Sequence, residues 1–156
     1  MTTHSSKACC ERPPTATAED YQPKGAYQEY AGLTCYVSGP RDAKKAVFFL
    51  YDIFGFREPT LQGADILSST NYLVVMPDFF QGNYAKSEWF VRATDEEKLA
   101  FDKFVKGIAD PKPHIEKVHQ VLGSLKQAFP SVESWGVIGC ESLPELVRLL
   151  FGGNMS

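Results

Sequence analysis

The sequence has no apolar run approaching the roughly 18 residues that a membrane-spanning helix needs, so no span is expected. It has no excess of positive charge either. Sixteen Lys and Arg against 19 Asp and Glu leave a formal net charge of −3. That is the wrong sign for a protein that must neutralise phosphates, and it argues against nucleic acid as a general partner. Cysteine is sparse: Cys9, Cys10, Cys35 and Cys140 are all there is. A small secreted domain held by disulfides carries a denser set, so four reduced thiols in a cytoplasmic protein are expected. The opening MTTHSSKACCERPP lacks the apolar centre of a secretory signal. Zinc motifs space their ligands by two to four residues. Cys9 and Cys10 are adjacent, so even with His4 nearby no metal or cofactor is expected. Histidine is scarcer still. His114 and His119 stand about 140° apart on a helix, too far to share a metal face.

What is present suits one globular domain. Hydrophobic residues make up 44% and charged residues 22%, the balance of an ordinary folded chain. Residues 1–24 are rich in Thr, Ser, Ala and Pro without periodicity, which reads as a flexible arm. From Gly32 the pattern changes. Leu33, Cys35 and Val37 alternate with Thr34 and Tyr36, as in a half-buried strand. Ala46 to Tyr51 is a continuous apolar run of strand length, typical of a parallel sheet covered on both faces. Tyr72 to Met76 is another, stopped by Pro77-Asp78, and Trp135 to Gly139 is the last.

Helical stretches lie between these strands. Thr60 to Ser69 places Leu61, Ala64, Ile66 and Leu67 inside. Thr94-Asp95-Glu96-Glu97 forms a capping box, followed by Phe101, Phe104, Val105 and Ile108 on one face. A helix from Asp110-Pro111 carries Ile115, Val118, Leu122, Leu125 and Phe129 at helical spacing. The order is strand, strand, helix, strand, helices, strand. Such alternation gives an α/β fold, a mainly parallel sheet with helices on both faces.

Three segments together resemble the dienelactone hydrolase family of the α/β-hydrolase fold, its fungal-type members in particular. They are Lys24-Gly25-Ala26-Tyr27 through Tyr36, Tyr51-Asp52-Ile53-Phe54-Gly55-Phe56, and Pro77-Asp78-Phe79-Phe80-Gln81-Gly82. Trp135 to Gly139 adds the strand that leads to the nucleophile, so the resemblance spans residues 25–139. It implies the N-terminal part of an α/β-hydrolase domain over residues 25–156, with a divergent tail from 140 to 156. It also implies a Cys-dependent hydrolase of small esters or lactones. In that family a cysteine in a Gly-x-Cys-x-Gly-Gly turn attacks the carbonyl, and a later aspartate and histidine complete the triad. Asp52 falls where the family has an acidic residue near the thiol, and the Ile53 backbone N–H where an oxyanion-hole donor is expected. The plainer reading of Asp52 is a carboxylate that ends a strand ahead of a helix.

The pattern breaks after Gly139. Aligned on that glycine, the nucleophile position holds Glu141 and the next small position Leu143. Cys140 stands one residue early, with branched Ile138 two positions before it. Ser142 has Cys140 and Pro144 as its flanking small positions, and no register satisfies the turn. Ser142-Leu143-Pro144-Glu145 instead reads as a second capping box, with Leu146, Val147, Leu150 and Phe151 on one face of a short helix. No histidine follows Gly139. The expectation is therefore a family member truncated near the nucleophile turn, with little or no hydrolytic activity. One alternative keeps Cys140 as a displaced nucleophile assisted by Asp52 or His114. Another is a non-enzymatic fragment that binds a partner or a small apolar ligand. In the full fold the strand ending at Gly139 is flanked on both sides, so its open edge is an expected site of self-association.

Overall fold

The computed structural model describes residues 21–91, 94–110 and 112–139. In chain order these form β1 (Ala26–Tyr30), β2 (Leu33–Ser38), β3 (Lys45–Leu50), α1 (Glu58–Ser68), β4 (Leu73–Pro77), α2 (Glu88–Val91), α3 (Asp95–Lys106), α4 (His114–Ala128) and β5 (Ser134–Gly139). The sheet order is β1-β2-β4-β3-β5. β2 runs antiparallel to both of its neighbours, while β3, β4 and β5 are mutually parallel.

The apolar runs explain the centre of the sheet. Ala46 to Leu50 on β3 and all of β4 are buried, as expected for strands with helices above and below. β1 has no such signature, because four of its five residues are exposed. It pairs with β2 through a two-residue turn at Ala31 and Gly32, with φ of 50° and 76°. Two successive positive φ values are what a hairpin needs to match strand twist, and Ala-Gly supplies them less visibly than Asn-Gly. The sequence pattern therefore missed this strand.

The crossovers decide where the helices go. From β3 the chain passes through α1 to β4 on one side. From β4 it returns through α3 and α4 to β5 on the other side of β3. Under the right-handed rule for such crossovers, connections that run in opposite directions along the sheet cover opposite faces. On β2, Tyr36 and Ser38 point to the α1 face, where both reach Asp65. α4 buries Val118, Val121 and Leu125 completely; Val118 and Leu125 belong to the expected stripe, whereas Val121 takes the inward place expected of Leu122, which is half-buried. The structure corrects some of the expected inward positions. Ile66 is 59% exposed, and its neighbour Asp65 is buried instead. On α3 only Phe104 is buried, with Val105 and Ile108 open to solvent. α4 begins at His114 behind Pro113 rather than at Asp110, since Lys112 N–H is taken by the Asp110 side chain. The capping box at Thr94 forms with both reciprocal bonds in place.

A mainly parallel sheet with one reversed strand and helices on both faces is the N-terminal part of an α/β-hydrolase fold. Among the described residues β5 pairs with β3 alone. The tail helix expected over 142–151 lies outside the described residues.

Candidate active site

Parallel pairing brings two chain exits together. In the β3–β5 register Leu50 stands opposite Gly139, so the loop opened by Tyr51-Asp52 starts at the same sheet edge at which β5 ends. Neighbouring strands lie about 4.8 Å apart. Open α/β sheets bind ligands in the crevice at the carboxyl ends of such strands. In α/β-hydrolases the nucleophile stands on the turn after one strand, and the loop after β3 gives an oxyanion N–H. Residues 51–57 are the loop that follows β3 here.

Asp52 opens it. One of its carboxylate oxygens accepts the Phe54 N–H at 2.8 Å, and its own carbonyl accepts the Gly55 N–H at 3.1 Å. This is an Asx-type turn, so the carboxylate shapes the loop whatever else it does. The bond to Gly55 also fixes the peptide plane between Asp52 and Ile53. In a trans peptide the N–H points opposite the carbonyl, so the Ile53 N–H faces away from the turn. Among the described residues it meets no acceptor, while the Ile53 carbonyl accepts Ala85 N–H at 2.9 Å. A preorganised, unspent donor is what an oxyanion site requires.

The loop after β4 holds the loop after β3 in place. Tyr51 is 1% exposed; its hydroxyl donates to Asp78 at 2.6 Å and accepts Phe80 N–H at 2.9 Å. The second Asp78 oxygen accepts the Tyr84 hydroxyl at 2.9 Å and Gly82 N–H at 3.0 Å. Burial and the hydrogen bond to Asp78 push both tyrosine hydroxyls well above their ordinary range, so they remain protonated donors. Tyr84 lies flat against Gly55, where a Cβ would stand 2.2 Å from the ring. Arg57 stacks over Phe54 at 4.1 Å and donates to Ser87 at 2.7 Å. Two of the three motif segments thus interlock. The first joins through Tyr27, whose ring is 5.6 Å from Phe56.

Beside this loop lies an open cleft of about 440 Å³, bordered by Phe54, Phe56, Arg57, Tyr84 and Lys86. That is room for a small substrate. His114 sits elsewhere. Its Nε2 meets the Ile108 carbonyl at 2.8 Å, and its ring packs on Phe79 and Phe80. These residues follow β4, so β3 intervenes between them and the exit of β5. Cys140, the expected nucleophile candidate, lies outside the described residues. So do His4, Cys9 and Cys10. The clamp from Tyr51 to Asp78 to Tyr84 escaped the sequence reading. Its only sign there was an aspartate directly after an apolar strand. No group of three or more His, Cys, Asp or Glu among the described residues could hold a metal ion.

None of the family profiles compared with the chain matches it. Several curated proteins do. An uncharacterized AIM2 family protein of Schizosaccharomyces pombe is 29% identical over 122 residues, covering 76% of this chain and 49% of the relative. A carboxymethylenebutenolidase homolog of Xenopus tropicalis is 32% identical over 123 residues, 77% of this chain and 46% of that protein. An endo-1,3;1,4-beta-D-glucanase of Zea mays is 30% identical over 115 residues, 64% of this chain and 38% of that protein. The chain spans about half the length of the first curated relatives it matches, 49% in each case. Among solved structures, a monoglyceride lipase of Saccharomyces cerevisiae aligns at 15% identity over 61% of this chain and 36% of its own. Its TM-score of 0.29 is too low to bear on the argument. With the motif segments interlocked at one sheet edge, the chain belongs to the dienelactone hydrolase-like family of α/β-hydrolases.

Proposed function

We propose that this framework serves the hydrolysis of a small carboxylic ester or lactone by a cysteine nucleophile, and that the 156-residue polypeptide by itself has little or no turnover. The observation that carries the reading is the Leu50–Gly139 register, which sets the β3 loop beside the end of β5. In the reaction a thiolate adds to the carbonyl carbon, and negative charge gathers on the oxygen. The Ile53 N–H is the donor assigned to that oxygen, a contribution of about 3 kcal/mol to transition-state stabilisation. Asp52 is the acidic group assigned to the neighbourhood of the thiol, with Cys140 the displaced nucleophile candidate.

The missing step is proton transfer. A thiol attacks as the thiolate and needs a base or cation beside it. His114 has one ring nitrogen on a carbonyl and lies over the exit of β4. No histidine follows Gly139 in these 156 residues, and loss of a triad base costs several orders of magnitude in rate. Turnover of a p-nitrophenyl ester tests this directly. The expected rate is indistinguishable from that of the Cys140→Ala variant. Clear turnover abolished by that substitution would sink the inactive reading and make Cys140 a working nucleophile.

The names of the relatives differ between lactone and glucan chemistry, so the substrate class rests on the site and not on them. A cytoplasmic setting belongs to the same reading, and Cys35 is a free thiol. Fractionation of cells expressing a tagged chain checks it. A second reading, a non-enzymatic binding fragment, is favoured by β5, where Ile138 is 40% exposed beside an edge that pairs with no strand among the described residues.

A further inference from the structure

Asp65 occupies the middle of α1, yet it is 3% exposed. A buried carboxylate without a cation needs its lone pairs filled by donors, and here four arrive. One oxygen accepts the Tyr36 hydroxyl at 2.8 Å and the Ser38 hydroxyl at 2.6 Å, both from β2. The other accepts the Tyr21 hydroxyl at 2.6 Å and the Lys24 backbone N–H at 2.8 Å. Burial pushes the carboxyl up, but the bonds from Ser38, Tyr21, Lys24 and Tyr36 together hold it below its ordinary range. It therefore stays an anion and a strong acceptor.

Half of this arrangement serves residues 21–24, which belong to no helix or strand. Residues 21–25 are tied down by the two bonds to Asp65 and one from Gly25 N–H to the Tyr36 hydroxyl at 2.7 Å, with the Tyr21 hydroxyl also beside that of Tyr36 and its ring packed on the core. The backbone at Gly25 comes so close that a Cβ would stand 2.5 Å from the Val37 carbonyl and 2.6 Å from the Tyr36 ring. Immediately downstream, Tyr27 contacts both Tyr36 and Phe56, at 5.4 and 5.6 Å between ring centres. The segment is thus joined at one end to Asp65 and at the other to the loop that carries Asp52 and Ile53.

We propose that residues 21–25 form a releasable strap, latched by the buried carboxylate of Asp65, and that the latched strap sets the packing of the 51–57 loop through Tyr27 and Phe56. The strap opens without unfolding the sheet, because it contributes no ladder bond to it. Its release loosens Phe56 and, through the turn at Gly55, the peptide that presents the Ile53 N–H.

Limited trypsinolysis followed by mass spectrometry tests it: Lys24 is exposed, but a protease must draw several residues on either side of the Lys24–Gly25 bond into its cleft, and the bonds to Asp65 oppose that. Tyr21→Phe removes one donor and leaves the carboxylate; Asp65→Asn weakens all four bonds. Each variant is expected to be cut after Lys24 at least tenfold faster than the parent, with no faster cutting after Lys45 in β3. Amide exchange read on the same samples is expected to quicken at Gly55 and Ala85 while Ala46 to Leu50 stay protected. Should Asp65→Asn fail to fold, Tyr21→Phe alone decides. Cutting at Lys24 and Lys45 in step in every variant, or an unchanged rate at Lys24, overturns the strap. Release of Lys24 with Gly55 and Ala85 unmoved overturns its coupling to the loop.

Discussion

Gly55 stands at φ +68°, a conformation that costs an L-residue about 1 kcal/mol or more. It also faces Tyr84 at a distance no Cβ can occupy. Gly55→Ala is therefore expected to destabilise by more than the backbone term alone, about 2–3 kcal/mol. The same change in a Tyr84→Ala background should cost less, a coupling that a denaturant double-mutant cycle reads directly. Asp52 divides its two readings by a different pair of substitutions. Its turn needs only an acceptor oxygen on the side chain, so Asp52→Asn should keep stability and Asp52→Ala lose about 1 kcal/mol. Urea midpoints check this, and an equal loss in both variants would deny the turn its role. Cys35 lies at the other extreme of reactivity. Burial pushes its thiol up to about 12, with the nearby Asp78 adding to the rise and a backbone hydrogen bond at Tyr30 opposing it. At pH 8 its thiolate fraction is then about one in ten thousand. Iodoacetamide should leave Cys35 unlabelled in the folded protein and label it on unfolding.

Among the elements, α3 is held by its N-terminus more than by its face. Only Phe104 is buried, against Phe80 and Trp89, so a twelve-residue helix depends unusually on its cap. Thr94→Ala leaves the Glu97 N–H without its acceptor and is expected to cost about 1 kcal/mol. Hydrogen exchange should show the loss confined to the first turn of α3. That cap was legible in the sequence because a capping box is a local pattern, four residues long, that no tertiary contact has to complete. Ala46 to Leu50 of β3 and all of β4 were legible for the converse reason: covered on both faces, they must be apolar throughout. β1 was not, since a strand mostly exposed to water carries no alternation. Ile66 was misplaced because periodicity ranks side chains by hydropathy, while Asp65 is drawn inward by donors from β2 and from residues 21–24, far away in sequence. Of the candidate site, the order of motifs singled out Asp52 and Ile53. The hydroxyl clamp that fixes them depends on two loops meeting in space, which no local spacing encodes.

At the scale of the whole molecule the sheet has two unlike ends. β1 presents Gln28 and Glu29 along its exposed outer strand, and polar or charged side chains of this kind discourage a further strand from adding. β5 ends in Trp135-Gly136-Val137-Ile138-Gly139 with no charge at all. Among the described residues its outer backbone groups have no strand beside them. An uncharged edge with a half-exposed isoleucine is a template for pairing with a second copy. Self-association is therefore expected to rise with protein concentration. Ile138→Lys places a charge on this edge, which the strand bears because Ile138 is already 40% exposed. Analytical ultracentrifugation should show the parent chain shifting to larger species over the micromolar range, and the Ile138→Lys protein remaining a monomer with unchanged circular dichroism. A parent that stays monomeric at every concentration would mean that the edge is covered in solution. Association that survives the lysine would move the contact to another surface, with the exposed Val105 and Ile108 at the end of α3 the next place to substitute.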